Sequence, residues 1–325
     1  MTRPDPPVSD FHMPTVVLTD AERYPLAAFA GASPPVPTGY QRTCENEPER
    51  SSFDVAGRSI ELLTWGKVGK PGLLFLHGMS ASADWWTHIA PWFAGEWRCA
   101  AISFSGMGGS EWAETYSLDG FAKETMAAIG AARLDESGRG VIVIGHSFGG
   151  NPAMISGSAD SRIAGVVCID TDVTTRWGVP PSDIFSPKPH RVYPTLAAAL
   201  ARFRLDPPQT AENAYLVDHV ARAGLRQTAD GGWTWRFDHK LWSTLDRSMV
   251  PQLAAGVSCP MAYLYGDRST LVDDDALARM EVVLPKGTPV IAVPDSAHHV
   301  LIDQPLGLVA ALKALLSLWP TPAHS

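Results

Sequence analysis

The 325-residue chain has no excess of positive charge: its formal net charge is −8 at pH 7 and its isoelectric point is near 5.7. The electrostatic field of such a chain repels polyanions and anionic membrane surfaces. We therefore expect a small-molecule substrate and no nucleic-acid partner. Whether the chain forms a homo-oligomer stays open.

The sequence also lacks long apolar runs. No run reaches the roughly 18 residues that a membrane-spanning helix requires, and the run Leu308–Leu318 is interrupted by Lys313. The N-terminus has no basic start leading into an apolar segment, which a secretory signal peptide would show. These features predict no membrane partner and a cytoplasmic location.

Cysteine is scarce as well. The chain has 4 cysteines, Cys44, Cys99, Cys168 and Cys259, and none of them shows Cys-x-x-Cys spacing. The last three lie in or beside predicted strands, so buried free thiols are favoured over disulfides or a zinc site. We expect neither a metal nor a cofactor.

What the chain does contain is the composition of a large globular domain, 45% hydrophobic and 18% charged. Residues 1–50 hold nine of the 27 prolines and show no apolar periodicity, which predicts an irregular N-terminal arm. Residues 51–172 and 251–325 are predicted to form one α/β core, and residues 173–250 a cap inserted into it.

The predicted core alternates short apolar runs with helical segments. A hairpin over Ser51–Val55 and Arg58–Trp65 comes first, and helices are predicted over Ser117–Leu134, from Phe148 onward and over Leu306–Leu318. Such alternation is typical of right-handed crossovers that cover both faces of a parallel sheet. The remaining predicted strands are Leu73–Leu76, Cys99–Phe104, Val141–Ile144, Ile163–Ile169, Met261–Tyr265 and Pro289–Val293.

Ser147 is the candidate nucleophile. It lies in Gly-His-Ser-Phe-Gly, directly after the apolar run that ends at Ile144. A nucleophile on a sharp strand-to-helix turn needs small residues two positions before and after it, and Gly145 and Gly149 meet that need. The positive end of the following helix favours an oxyanion at this turn.

A serine nucleophile needs a base, and His298 or His299 is the best candidate because both follow the last predicted strand. His77 and His146 are better explained by packing or by hydrogen bonds within turns. Metal binding by His298 and His299 is disfavoured, since adjacent side chains diverge and no carboxylate or cysteine cluster accompanies them.

These residues resemble the α/β-hydrolase superfamily in its cap-bearing branch, over about residues 51–320. The resemblance rests on His77-Gly78, on Gly145-His146-Ser147-Phe148-Gly149 and on the stretch from Ala297 to Pro305. It implies a mostly parallel eight-stranded sheet, helices on both faces and a helical cap. In this family the base commonly stands five residues before an acid and seven before a proline, which selects His298.

The resemblance also implies where the oxyanion would be held. The family uses two backbone N–H groups, one after the His-Gly turn and one after the nucleophile, and these positions are Met79 and Phe148.

The acid is not where the commonest family pattern places it, three residues after the glycine that ends the strand following the cap. Three residues after Gly266 stands Ser269. The other family solution uses the end of the strand before the cap, where Asp170 is the first polar residue after an apolar run. We predict Asp170 as the acid, with Asp267 and Asp172 in reserve.

The resulting hypothesis is a serine hydrolase that cleaves a carboxylic ester or lactone through an acyl-enzyme. An amidase or a carbon–carbon bond hydrolase on the same triad stays open, as does a ligand-binding protein without turnover. The aromatic residues of the predicted cap suggest a fairly large apolar or aromatic substrate. The candidate pocket residues are Trp85, Trp86, Trp177, Trp233 and Trp235.

Overall fold

The computed structural model describes residues 16–38, 40, 46–173, 189–241, 245 and 250–319. Within these residues the chain builds an eight-stranded sheet and a separate two-stranded one. The large sheet consists of β1 (Glu49–Val55), β2 (Arg58–Trp65), β3 (Gly72–Leu76), β4 (Arg98–Ile102), β5 (Val141–His146), β6 (Ile163–Ile169), β9 (Met261–Gly266) and β10 (Val290–Val293). The small sheet pairs β7 (Leu225–Gln227) with β8 (Trp233–Trp235).

Helices connect these strands. Short 3₁₀ turns lie at Ala27–Phe29, Ala83–Trp86, Ala90–Trp92 and Ser147–Gly149. The α-helices are α1 (Asp20–Arg23), α2 (Leu118–Ala131), α3 (Gly150–Ala159), α4 (Leu196–Leu200), α5 (Ala214–Ala223), α6 (Val250–Gly256), α7 (Asp274–Val283), α8 (Val300–Asp303) and α9 (Pro305–Leu318).

The strand order in the large sheet is β1-β2-β4-β3-β5-β6-β9-β10. The strands from β4 to β10 in this order run parallel, while β1 and β2 join antiparallel at one edge. This arrangement confirms the mostly parallel eight-stranded sheet that the sequence predicts. Because parallel strands end on the same side, the residues after β3, β5, β6 and β9 meet along one edge.

Two hydrophobic cores cover the faces of the sheet. On β3, Leu73 and Phe75 enter one core while Leu74 and Leu76 enter the other, and all four side chains are fully buried. Successive side chains of a strand point to opposite faces, so a strand covered on both sides is apolar throughout. This explains the continuous apolar runs in the sequence.

The described part of the predicted cap, residues 189–241, contains α4, α5 and the small sheet. It is joined to the core by a backbone bridge between Met107 and Phe237 and by a hydrogen bond from the Asp238 N–H to the Gly106 carbonyl. The limits of the cap stay a prediction, because part of the predicted range lies outside the described residues.

The described part of the N-terminal arm packs on this cap. Leu26 is buried in the same hydrophobic core as α4 and α5. Gly31 lies so close to α4 that an added Cβ would be 2.6 Å from the Ala197 Cβ, and the Arg222 guanidinium donates to the Gly31 carbonyl at 2.8 Å. Leu26 and Gly31 of the arm therefore contact the predicted cap and the hydrophobic core that it shares with one face of the sheet.

Two smaller predictions concern thiols and membrane helices. Cys99 and Cys168 are buried free thiols and Cys259 is a partly buried one, while Cys44 lies outside the described residues. Across the described ranges, every helix is too short or too polar to pass through a lipid bilayer.

Candidate active site

Ser147 occupies the sharp turn between β5 and α3. Its φ of 52° lies in the left-handed region, which costs strain for a residue with a Cβ and recurs at functional turns. An added Cβ on Gly145 would lie 2.3 Å from the Gly149 carbonyl oxygen, and one on Gly149 would lie 2.6 Å from the Leu76 carbonyl oxygen. Both glycines are therefore required by close backbone contacts around the turn.

His298 lies between Ser147 and Asp170. Its Nε2 is 2.9 Å from the Ser147 Oγ and its Nδ1 is 2.7 Å from the Asp170 Oδ1. His298 is 2% exposed and Asp170 is fully buried. The three side chains that the sequence predicts as a triad therefore form one continuous chain of hydrogen bonds.

Asp170 follows β6 with a φ of 47°, so the chain turns sharply as the strand ends. Besides His298, its carboxylate accepts hydrogen bonds from the Ser269 hydroxyl at 2.7 Å and from the Gly266 N–H at 3.0 Å. These bonds satisfy a buried charge that would otherwise be costly. Ser269, at the position where the commoner acid was expected, therefore donates to the predicted acid, Asp170.

The reserve acids lie elsewhere. Asp267 is exposed, and its carboxylate accepts a hydrogen bond from the Ser296 N–H at 3.2 Å. Asp172 is half-buried, two residues beyond the acid that contacts His298. Asp273 is the N-cap of α7, and its carboxylate accepts from the Ala276 N–H at 2.9 Å.

The contact between Ser269 and Asp170 leads to a prediction. Ser269→Ala removes one donor from the buried carboxylate, and a hydrogen bond to a charged group is worth about 1.5–3 kcal/mol. We expect kcat to fall by about 10- to 100-fold, with substrate KM little changed. Steady-state kinetics tests this expectation. The control variant is Ser317→Ala, which removes an exposed hydroxyl on α9. Equal kcat values for the two variants would contradict it.

His77 fixes the turn that follows β3. The Phe104 N–H donates to its Nε2 at 3.0 Å, so its Nδ1 carries the proton and donates to the Gly78 carbonyl at 2.6 Å. Burial lowers the pKa of His77 to about 4, which keeps the ring neutral. An added Cβ on Gly78 would be 3.3 Å from the Ser147 Cβ, so this turn lies against the nucleophile. The roles of the Met79 and Phe148 amides stay a prediction.

His146 contacts His298 through a hydrogen bond and through its ring. Its Nε2 donates to the backbone carbonyl of His298 at 2.9 Å, and the two rings lie 4.9 Å apart. Burial, and to a smaller extent the neighbouring His298, lower the pKa of His146 to about 3. The ring is therefore a neutral donor, in agreement with the interpretation of His146 as a structural residue.

The predicted pocket tryptophans have different positions. Trp85 lies 5.6 Å from the ring of His299, the residue that follows His298, measured between ring centroids. Trp235 packs against Tyr193 and Phe203 within the cap, and Trp233 is half-buried on the same strand. Trp177 lies outside the described residues.

Trp86 requires a correction. Its side chain is fully buried and packs on Phe75 at 5.0 Å between ring centroids. It follows Trp85 in a 3₁₀ turn, and it belongs to the hydrophobic core rather than to a pocket wall.

Chemically, the arrangement can transfer a proton from the Ser147 hydroxyl to His298 while Asp170 stabilises the imidazolium that forms. The described ranges contain no group of three or more histidines, cysteines or carboxylates arranged for a metal ion.

Comparisons with known proteins concern the family and the fold of the chain. The model of the Alpha/beta hydrolase family matches residues 73–312. A curated relative, lipase LipV of Mycobacterium tuberculosis (strain ATCC 25618 / H37Rv), is 33% identical over 116 residues. That alignment spans 35% of this chain and 42% of the relative, so the chain matches less than half of the relative's length.

Solved structures share the fold. The thioesterase domain from the curacin biosynthetic pathway superposes with a TM-score of 0.68 at 21% identity, covering 84% of this chain and 100% of that domain. An esterase from Mycobacterium tuberculosis superposes with a TM-score of 0.66 at 21% identity, covering 93% of this chain and 100% of that one. E-2-(acetamidomethylene)succinate hydrolase gives 0.67 at 20% identity, covering 83% of this chain and 99% of that one.

Proposed function

Since the chain belongs to the alpha/beta hydrolase family, we propose that it is a serine hydrolase that cleaves a carboxylic ester or lactone through an acyl-enzyme. The observation that carries the proposal is the hydrogen-bonded series Ser147–His298–Asp170. Each member has the residue type and the contact that its role in acyl transfer requires.

In the acylation step, His298 Nε2 accepts the Ser147 hydroxyl proton as the Ser147 Oγ attacks the carbonyl carbon. The carbon–oxygen bond to the alcohol then breaks, and His298 returns the proton to the leaving oxygen. Asp170 keeps the imidazole proton on Nδ1, which leaves Nε2 free to act as the base.

In the deacylation step, water replaces the alcohol. His298 takes a proton from this water, the hydroxide adds to the acyl carbon, and the bond to the Ser147 Oγ breaks as His298 returns the proton to it. The products are a carboxylic acid and the restored serine. A lactone follows the same route and gives a single hydroxy acid.

The negative charge that develops on the carbonyl oxygen needs donors. We assign this role to the Met79 and Phe148 amides, a choice supported by the close packing of Gly78 on Ser147. Each such donor is worth on the order of 3 kcal/mol of the activation barrier.

The choice of an ester is supported by the names of similar proteins, a lipase, an esterase and a thioesterase. The position of Trp85 beside His299, the neighbour of the proposed base, supports an apolar or aromatic substrate of some size. The proposal includes no metal, cofactor, nucleic acid or membrane partner, and it includes a cytoplasmic location.

A second candidate is cleavage of an amide or of a carbon–carbon bond by the same triad. One structural neighbour is named as a hydrolase of E-2-(acetamidomethylene)succinate, which contains an amide. A third is ligand binding without turnover.

Matched substrates distinguish these functions. Phenyl esters, anilides and 1-aryl 1,3-diketones would share one aromatic acyl group, and an aryl lactone would be included. We expect kcat/KM to be largest for an ester or the lactone, because their leaving oxygen is expelled more easily than an amine or a carbanion. Faster cleavage of the anilide or the diketone would contradict the ester proposal. Binding of all substrates without product release would favour the ligand-binding function.

A further inference from the structure

The backbone around His298 is held by a polar cluster that connects it to the cap. We define the Gln209 clasp as Gln209 from the cap together with His299, Asp303 and the Ala297 N–H from the core. Gln209 is 8% exposed and lies in the segment between α4 and α5. We propose that Gln209 is a positioning residue for the base, an inference that rests on the proposed serine-hydrolase function.

Gln209 holds the residue that follows the base. Its Oε1 accepts hydrogen bonds from the His299 N–H at 2.9 Å and from the His299 Nδ1 at 2.8 Å. Burial lowers the pKa of His299 well below its ordinary value, so the ring is neutral and donates through Nδ1. Both bonds fix the peptide on the C-terminal side of His298.

Asp303 holds the residue that precedes the base. Its Oδ2 accepts from the Ala297 N–H at 2.8 Å, and its two oxygens accept from the Gln209 Nε2 at 2.8 and 3.0 Å. One amide side chain thus connects the supports on both sides of His298. Together with the His146 bond to the His298 carbonyl, the backbone of the base is held at three points.

A side-chain amide satisfies both sides of this cluster. The Asp303 carboxylate supplies acceptors and the His299 N–H is a donor, so the residue between them must donate on one side and accept on the other. A carboxylate at position 209 would accept from His299 but would place two anionic groups in contact. Asn213 strengthens the connection, because its Nδ2 donates to the Ile302 and Asp303 carbonyls at 2.8 and 3.0 Å.

Charged and titratable groups approach Asp303 from the cap and from the core. Glu212 faces it from the cap, His298 approaches it from the core, and Arg268 and Asp295 line the same polar cleft. Burial raises the pKa of Asp303 to about 6. Its carboxylate form, which the clasp requires, therefore predominates above that pH.

The first test compares Gln209→Ala with Gln227→Ala, a matched change at an exposed cap residue whose amide bonds only within its own hairpin. The measurement is the rate at which a fluorophosphonate labels Ser147, followed by kcat and KM for an aryl ester. We expect Gln209→Ala to lower the labelling rate and kcat by about 10- to 100-fold, since a displacement of about 1 Å at a catalytic group has that cost. KM should change little. Equal labelling rates in the two variants would overturn the proposal.

Gln209→Glu keeps the size and the acceptor, and it gives a pH signature that general destabilisation would not. Two adjacent carboxyl groups share one proton, which raises the pKa of the pair. At each pH, the labelling rate of Gln209→Glu is divided by that of the wild-type enzyme. This ratio should therefore be smallest at pH 8 and should rise toward pH 6. A ratio that is constant or falls toward pH 6 would overturn the proposal.

Hydrogen exchange provides a readout that needs no turnover. In Gln209→Ala the His299 and Ala297 amides should exchange faster, while the amides of β5 keep their protection. Unchanged exchange at both amides would overturn the clasp, whatever the activity. If the unchanged enzyme is not labelled, the proposed function fails while exchange still decides whether Gln209 fixes the base.

Discussion

Asp170→Asn should lower kcat by about 10⁴-fold, the loss expected when the acid of a triad becomes an amide of the same shape. Three donors face the carboxylate: the His298 Nδ1–H, the Ser269 hydroxyl and the Gly266 N–H. An asparagine has one acceptor oxygen and an NH₂ group, so a donor would face a donor. The imidazole would then favour the tautomer with the proton on Nε2, which cannot act as the base toward Ser147.

The matched control is Asp267→Asn, at an exposed carboxylate in the loop after β9. Its bond to the Ser296 N–H can be kept by the asparagine oxygen, so kcat should stay near that of the unchanged enzyme. Steady-state kinetics on one ester decides the assignment. A large loss in Asp267→Asn with a small loss in Asp170→Asn would assign the acid to Asp267 instead.

Ser147→Ala should have the largest effect, a fall in kcat of about 10⁶-fold, because the acyl-enzyme can no longer form. The remaining groups can still bind the ester and stabilise charge, so binding of the product acid should persist. Alanine has nearly the same backbone preferences as serine, and the left-handed turn at φ 52° should therefore be retained.

Thermal unfolding checks the fold of Ser147→Ala, and a single-turnover assay checks its chemistry. Ser158→Ala, at an exposed residue of the same helix region, serves as the control. Turnover by Ser147→Ala at a substantial fraction of the unchanged rate would mean that another residue is the nucleophile.

Local sequence patterns were sufficient for the sheet and the nucleophile. A buried parallel strand is continuously apolar, and a tight turn around Ser147 needs small neighbours. Each of these patterns is therefore visible within a few consecutive residues. The choice of His298 over His299 came from spacing to Asp303 and Pro305. The structure adds the reason that these adjacent rings differ, since His299 points to the cap.

The acid was harder to predict, because its identity depends on a contact between segments 99 positions apart. Ser269 stood where an acid was expected, and that departure directed attention to Asp170. The sequence did not indicate that the Ser269 hydroxyl would donate a hydrogen bond to the Asp170 carboxylate.

Sequence patterns could not predict the contacts of Gln209 or the burial of Trp86. Gln209 is a single glutamine in an irregular part of the cap, and its partner His299 is 90 positions away. Trp85 and Trp86 are identical neighbours, and the sequence does not indicate which of them packs on Phe75 and which lies near His299. Burial and partner geometry are properties of the folded chain.

The central claim is that Ser147 forms a covalent acyl bond during turnover. Rapid acid quenching of the enzyme during hydrolysis of a slow aryl ester, followed by peptide mass spectrometry, tests it directly. The account predicts one acyl group per chain on the peptide that contains Ser147, with its formation slowed in His298→Ala and absent in Ser147→Ala. Product release without any acylated Ser147 peptide, or an acyl group on a different residue, would contradict it.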